Sequence, residues 1–282
     1  MPFSQHSHSG QFCRHGSGIL EDVVLAAIDR GMVAYALTEH VPRYSPEFRY
    51  PEESDMSVAD LESQFSAFLA EARRLQVKYA SQIDLIVGCE TEFVTRDDTL
   101  AMLSSLPANP PFLLTVGSSP LAMYTAYFDA QFAMLELVQP KVVGHFDLIG
   151  IFATQAGIQH VDLVMHLWDS HVKRNLDWIA AHGALVEINS RAWKKGVPGY
   201  PHVAIAKRIK NEYGERVRFT LSDDAHAPGD VGMGYVEQVR RYIEQGVGLA
   251  ELYYWSGSGE IKRVEVPGED GGVWQQFFDP SK

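Results

Sequence analysis

The 282-residue sequence predicts an α/β protein, a TIM-like barrel of parallel strands covered by helices, on two observations. Short β-rich runs alternate with amphipathic helical stretches, the pattern of parallel strands joined through crossover helices. Nearly every strand candidate then ends in a side chain of the kind that binds metal. A closed barrel gathers such ends around one mouth, whereas an open sheet spreads them along an edge. Seven strands are counted, at 3–8, 33–37, 85–87, 113–116, 142–144, 185–188 and 219–221, and an eighth is left open.

The helix after the first strand falls in GILEDVVLAAIDRG, where Leu20, Val23, Val24, Ala27 and Ile28 recur at helical spacing and Gly31 ends it. Beyond the second strand, the loop VPRYSPEFRYPEE leads into a long helix over 58–79, with Leu61, Phe65, Phe68, Leu69, Ala72 and Leu75 on one side. Ser57 and Asp60 form a capping box at its start. Further helices are expected at 124–138, 161–181, 204–213 and 235–245. No repeat, low-complexity linker or long charge run divides the chain. Residues 1–282 therefore read as a single domain, with an irregular tail, punctuated by Gly and Pro, from about residue 267.

Lysine and arginine total 24 against 36 aspartates and glutamates, a formal charge of −12. That balance disfavours a surface built to neutralise nucleic-acid phosphates. With only Cys13 and Cys89, no disulfide framework is expected, which suggests a reducing compartment. The chain has no apolar run of about eighteen residues, and its opening lacks the basic and apolar regions of a signal peptide. A cytoplasmic protein without a membrane segment is expected. His6 and His8 stand so near Met1 that cleaving a leader would remove them.

The 11 histidines are the unusual feature, because several cluster with carboxylates. His6 and His8, two apart on a strand, point to one face and can bind one metal or two neighbouring ones. His15 follows after the short turn QFCRHGSG. Cys13 in that turn reads as packing, since a site rich in nitrogen and oxygen has less use for a thiolate. Glu39 and His40 follow ALT. Glu90 ends an apolar run, and its carboxylate can bridge two ions; Glu92 is read as a salt-bridged loop residue. In VVGHFDLIG, His145 directly follows a β-branched run, and Asp147 is placed to hold an imidazole from behind. In TLSDDAHAP, Asp224 and His226 repeat the two-residue spacing, with Asp223 as a neighbouring alternative. Coincidence across six segments is the poorer explanation. His160, His166, His171, His182 and His202 lack this pattern and are read as surface or packing residues. No nucleophile elbow, G-x-G-x-x-G or Walker-type loop is present.

Taken in order, HSHSGQFCRH, TEH, GCETEF, GHFDLI and SDDAH resemble the PHP (polymerase and histidinol phosphatase) superfamily, in its histidinol-phosphatase branch, from the first residues to about Gly234. The resemblance implies a distorted (β/α)7 TIM-like barrel with a multinuclear metal centre at its C-terminal mouth. By matched position it implies His6, His8, His15, His40, Glu90, His145, Asp224 and His226 as metal ligands. It implies two or three divalent ions, with Zn, Mn and Fe all suited to such ligands. The implied activity is a phosphomonoesterase that hydrolyses L-histidinol phosphate to L-histidinol and phosphate in histidine biosynthesis. The alternatives are a related phosphoesterase on another small phosphate ester, or a metal-binding barrel with impaired catalysis.

The ions would acidify water and neutralise phosphate charge. Asp147, Asp223 and Arg191 are the residues assigned to catalysis around them, and Lys194 and Lys195 are further candidates to hold phosphate. Glu187 and Asn189 are placed to order the rim or meet the substrate. One departure stands out: the family carries a GSVH-type segment whose histidine is a metal ligand. Here LLTVGSSPLAMYT keeps Gly117 and Ser118 but lacks that histidine, and the following loop has shrunk.

Overall fold

Parallel pairing runs through six short strands in the computed structural model, which describes residues 2–91, 119–153 and 156–266. One sheet has the order β1 (Phe3–Ser4), β2 (Ala34–Leu37), β3 (Asp84–Val87); the second has β4 (Val142–Val143), β5 (Leu185–Asn189), β6 (Arg218–Ser222). They meet where β6 passes β1. Gln5 N donates to Leu221 O at 3.0 Å, Asp224 N to His6 O at 3.2 Å and His8 N to Ala225 O at 2.7 Å. The strands therefore follow one another as β4, β5, β6, β1, β2, β3, each delivering its C-terminal end to the same side.

The strands do not close on themselves among the described residues, so the architecture is an α/β fold and the expected closed barrel is not shown. The strand expected at 113–116, together with Glu92, Gly117, Ser118 and the tail from 267, lies outside the described residues.

The first strand is shorter than expected because side chains take over its ladder. Ser7 Oγ donates to Ala36 O at 2.6 Å, and Ser7 N donates to Thr38 Oγ1 at 3.0 Å. Ser7 thus faces β2 while His6 and His8 face the other way. A hairpin of β7 (Glu251–Trp255) and β8 (Ile261–Glu265) was not expected. Its signal was present, two aromatic or β-branched runs around SGSGE. The hairpin secures the N-terminal strand: Trp255 N donates to Gln5 Oε1 at 2.9 Å, and Tyr254 stacks on Phe3 at 4.7 Å.

Helices cover the sheets as the periodicity requires. α1 (Leu20–Asp29) buries Leu20, Val23, Val24 and Ala27, and α2 (Val58–Lys78) buries Leu61, Phe65, Phe68, Ala72 and Leu75. α3 (Pro120–Val138) starts four residues before the expected Tyr124, because Ser119 Oγ accepts from Ala122 N at 3.2 Å and Pro120 suits the first turn. α4 (His160–His166) continues through a π-helical turn, Trp168–Val172, into α5 (Lys173–His182). The short α6 (Arg191–Lys194), then α7 (Val203–Tyr213) and the π-helical stretches Tyr235–Val239 and Tyr242–Val247 complete the layer. Among the described residues no helix is long and apolar enough to cross a membrane.

The capping box of α2 forms as expected: Ser57 Oγ accepts from Asp60 N at 3.2 Å, and Asp60 Oδ2 accepts from Ser57 N at 2.8 Å. Ser57→Ala is expected to cost about 1 kcal/mol. In urea the unfolding midpoint should fall with the slope unchanged.

Candidate metal centre

The strand ends deliver imidazoles and carboxylates to one place. His6 and His8 follow β1, Glu39 and His40 follow β2, Glu90 follows β3, and His145 follows β4. Glu187 and Asn189 end β5, and Asp224 and His226 follow β6. Glu90 lies at the centre of this group. Its Oε2 is 3.3 Å from His6 Nε2, 3.1 Å from His8 Nε2 and 3.0 Å from His40 Nδ1, and its Oε1 is 3.5 Å from His145 Nδ1. His145 Nε2 is 3.2 Å from Asp224 Oδ2, and His226 Nδ1 is 3.3 Å from Asp224 Oδ1. His15 Nε2 reaches His226 Nε2 at 3.0 Å.

Residues 4–191 match the PHP domain family. The chain belongs to the PHP family. It is 35% identical to the Schizosaccharomyces pombe protein named probable histidinol-phosphatase, over 98% of this chain and 97% of that protein. It is 29% identical to the histidinol-phosphatase of Saccharomyces cerevisiae, over 89% of this chain and 90% of that protein. These relatives put the PHP chain in the histidinol-phosphatase branch. The first alignment spans 308 positions, more than this chain's 282 residues, so that relative carries residues with no counterpart here.

Two solved structures show the same fold. The Lactococcus lactis histidinol phosphate phosphatase, a complex with zinc, L-histidinol and phosphate, gives a TM-score of 0.62 at 16% identity, covering 92% of this chain and 98% of that one. The Listeria monocytogenes protein described under the name hisK gives 0.65 at 20% identity, covering 83% and 98%.

The donor set of this PHP chain fits divalent cations. His6 Nε2 lies 2.9 Å from His8 Nε2, and the contact of His15 with His226 is similar, so in each pair two nitrogens face one another with room for one proton. Both ring nitrogens of His40 are buried without a hydrogen-bond partner, although Nδ1 is close to Glu90. Lone pairs aimed at a common volume are what a metal uses. Three groups have ligand atoms within 4.8 Å of one another: His6, His8 and Glu90; His6, His145 and Asp224; and His8, Cys13, His40 and His226.

The backbone is strained to achieve this. His145 and Asp224 have φ of 51° and 48°, a left-handed conformation that costs a side-chain-bearing residue about 1–3 kcal/mol and is typical of functional sites. Outer carboxylates fix the imidazoles: Glu187 Oε1 lies 2.9 Å from His6 Nδ1, and Glu39 Oε2 lies 3.2 Å from His8 Nδ1. Glu187 Oε2 also accepts from the backbone N of His145 at 2.9 Å.

Charges in the cluster are tightly paired. Burial opposes protonation of His6, but Glu90, Asp224 and Glu187 outweigh it and hold its pKa well above the usual value. His8 is raised to about 9 against burial by Glu39 and Glu90. Asp224 lies far below the usual carboxylate range, because His6 and His145 overcome its burial. Burial and the neighbouring His8 lower His226 to about 2. Cations entering here would replace protons on His6 and His8, so binding weakens as pH falls.

Three expectations are corrected. Asp223 does not face the cluster: it is fully buried, and its carboxylate accepts from Ser4 Oγ at 2.9 Å, Tyr35 OH at 3.2 Å, Ala225 N at 3.2 Å and Gly232 N at 2.8 Å. Asp147 does not hold His145. Its Oδ2 lies 3.0 Å from His160 Nε2 and accepts from His202 N at 2.8 Å, and Tyr124 OH meets His160 Nδ1 at 2.8 Å. His160 is thus part of a buried polar chain that sequence reading passed over. Cys13 does more than pack, since its Sγ lies 3.2 Å from His15 Nε2; burial raises its thiol to about 12.

Arg191 sits at the cluster's edge, where its NH1 donates to Asp224 O at 2.9 Å. Lys194 Nζ is turned to Asp230 Oδ1 at 2.5 Å. Asn189 Nδ2 donates to Asp224 Oδ2 at 3.2 Å and Glu187 Oε2 at 3.3 Å. Where the family's GSVH histidine would fall, Ser119 caps α3 and Tyr124 is taken by His160. Neither reaches the cluster.

Proposed function

We propose that this chain is a metal-dependent phosphomonoesterase that hydrolyses L-histidinol phosphate to L-histidinol and inorganic phosphate in cytoplasmic histidine biosynthesis. The observation that carries the reading is Glu90, one carboxylate within 3.5 Å of His6, His8, His40 and His145. The names of the fungal relatives and the ligands of the Lactococcus lactis protein supply the substrate. We assign His6, His8, His15, His40, Glu90, His145, Asp224 and His226 as ligands of two or three ions of Zn, Mn or Fe, with Cys13 beside them. We also propose one domain, a seven-stranded TIM-like barrel.

Such ions, when bound, neutralise phosphate oxygens and acidify a water for attack on phosphorus. The protein's own groups do the rest. Glu187 and Glu39 keep the rings of His6 and His8 in one orientation, so that their far nitrogens stay lone-pair donors. Arg191, anchored on Asp224 O and 3.6 Å from Asp230 Oδ2, keeps a guanidinium at the rim, and burial lowers the pKa of Lys195, opposed in part by Asp224 and Glu90. We assign both to orient the phosphate.

The test is phosphate release from L-histidinol phosphate, abolished by a chelator and restored by Mn or Zn. Activity indifferent to the chelator would remove the metal from the reaction. A second reading, a metal-binding fold with impaired catalysis, is favoured by the unfilled place of the GSVH histidine. Bound metal without turnover on any small phosphomonoester would select it.

A further inference from the structure

Tyr200 follows α6 and is not among the residues that sequence reading selected. It is 4% exposed, and its hydroxyl is buried with no hydrogen-bond partner. Buried hydroxyls are ordinarily paired, so each unpaired one calls for a cause. The backbone tells where the side chain goes. Asn189 N donates to Tyr200 O at 3.0 Å, and the two residues form an antiparallel bridge. Residues opposed in this way present side chains on one face. Asn189 spends its amide on Asp224 and Glu187, so that face is the cluster's. The Tyr200 ring stands edge-on to His145, with centroids 5.4 Å apart and an interplanar angle of 77°. Burial raises its pKa, and so do Asp224, Glu187 and Glu90, in whose field the hydroxyl lies.

We infer that Tyr200 is a substrate contact, its phenol donating a hydrogen bond to a phosphate oxygen of the ester held at the cluster. This rests on the phosphatase reading above. The nearby protein acceptors are engaged: Asp224 Oδ2 with Asn189 and His145, and Glu187 Oε2 with Asn189 and the backbone of His145. A phosphomonoester brings acceptor oxygens and little else to such a position.

Tyr200→Phe keeps that ring and removes only the hydroxyl. The metal-loaded variant should keep wild-type metal content and melting temperature. Its kcat/KM for L-histidinol phosphate should fall roughly 10–100-fold, the range for a lost hydrogen bond to a charged group, and its affinity for inorganic phosphate should weaken by a similar factor. Unchanged phosphate affinity overturns the assignment, whether kcat/KM holds or falls, since a merely structural hydroxyl would act through metal content or stability. If the wild-type protein does not turn over L-histidinol phosphate, the phosphatase reading fails by itself. Calorimetric binding of inorganic phosphate to the two metal-loaded proteins still decides Tyr200: weaker binding by the variant supports the contact, and equal binding overturns it.

Discussion

Glu90→Gln is expected to leave less than about one hundredth of the phosphatase activity and to bind less metal, since even groups one step removed from a metal cost 10–100-fold. The amide is nearly isosteric, so packing is kept. What changes is charge: four imidazoles converge within 3.5 Å of this carboxylate, and its side chain is only 16% exposed. Glu90 stays ionised despite burial because His6 and His40 hold its pKa well below the usual value. An amide at that point turns at least one N–H toward lone pairs that should meet a cation. Metal content per chain and kcat on L-histidinol phosphate should fall together. A variant with full metal and near wild-type rate would dismiss Glu90 as the shared ligand.

Asp223→Ala should behave in the opposite sense, losing stability before chemistry. The carboxylate satisfies Ser4 Oγ, Tyr35 OH, Ala225 N and Gly232 N, all in the interior. Each buried donor left without a partner costs about 1–3 kcal/mol, and with partial relaxation a loss of about 4 kcal/mol is expected. Against a total of about 5–15 kcal/mol for a typical folded chain, that is a large share. Urea unfolding measures it, and Asp223→Asn, which keeps an acceptor oxygen, should fall between the two if the alanine variant does not fold. Metal content of the folded fraction should stay at the wild-type level. A variant of wild-type stability with no activity would return Asp223 to the catalytic set.

The pair at 223 and 224 shows how far the sequence could be read. SDDAH announces a carboxylate after a strand but does not say which one faces the mouth. Burial pushes Asp223 up to about 6, because only neutral donors meet it, while Asp224 is driven the other way by His6 and His145. The hairpin of β7 and β8 was legible and missed: the aromatic run ELYYW and the Gly-containing turn are ordinary strand signals. Tyr200 was not legible. Nothing local marks a tyrosine whose hydroxyl lacks a partner, since that depends on a bridge to Asn189 and on the position of His145.

The sequence by itself determined which residue types end the strands. β-branched runs followed at once by histidine or carboxylate must put polar donors at one end of a parallel sheet, and the two-residue spacing of His6 and His8 puts both on one face. Only the tertiary structure decided which neighbours turn inward and which hold them. His6 is fixed by Glu187, 181 residues away, and Asp223 is claimed by Ser4, 219 residues away. His145 and Asp224 reach the cluster through left-handed backbone conformations. The physical reason is that a side chain's direction at the end of a strand depends on the turn that follows and on partners from other strands, and both are set by packing across the sheet.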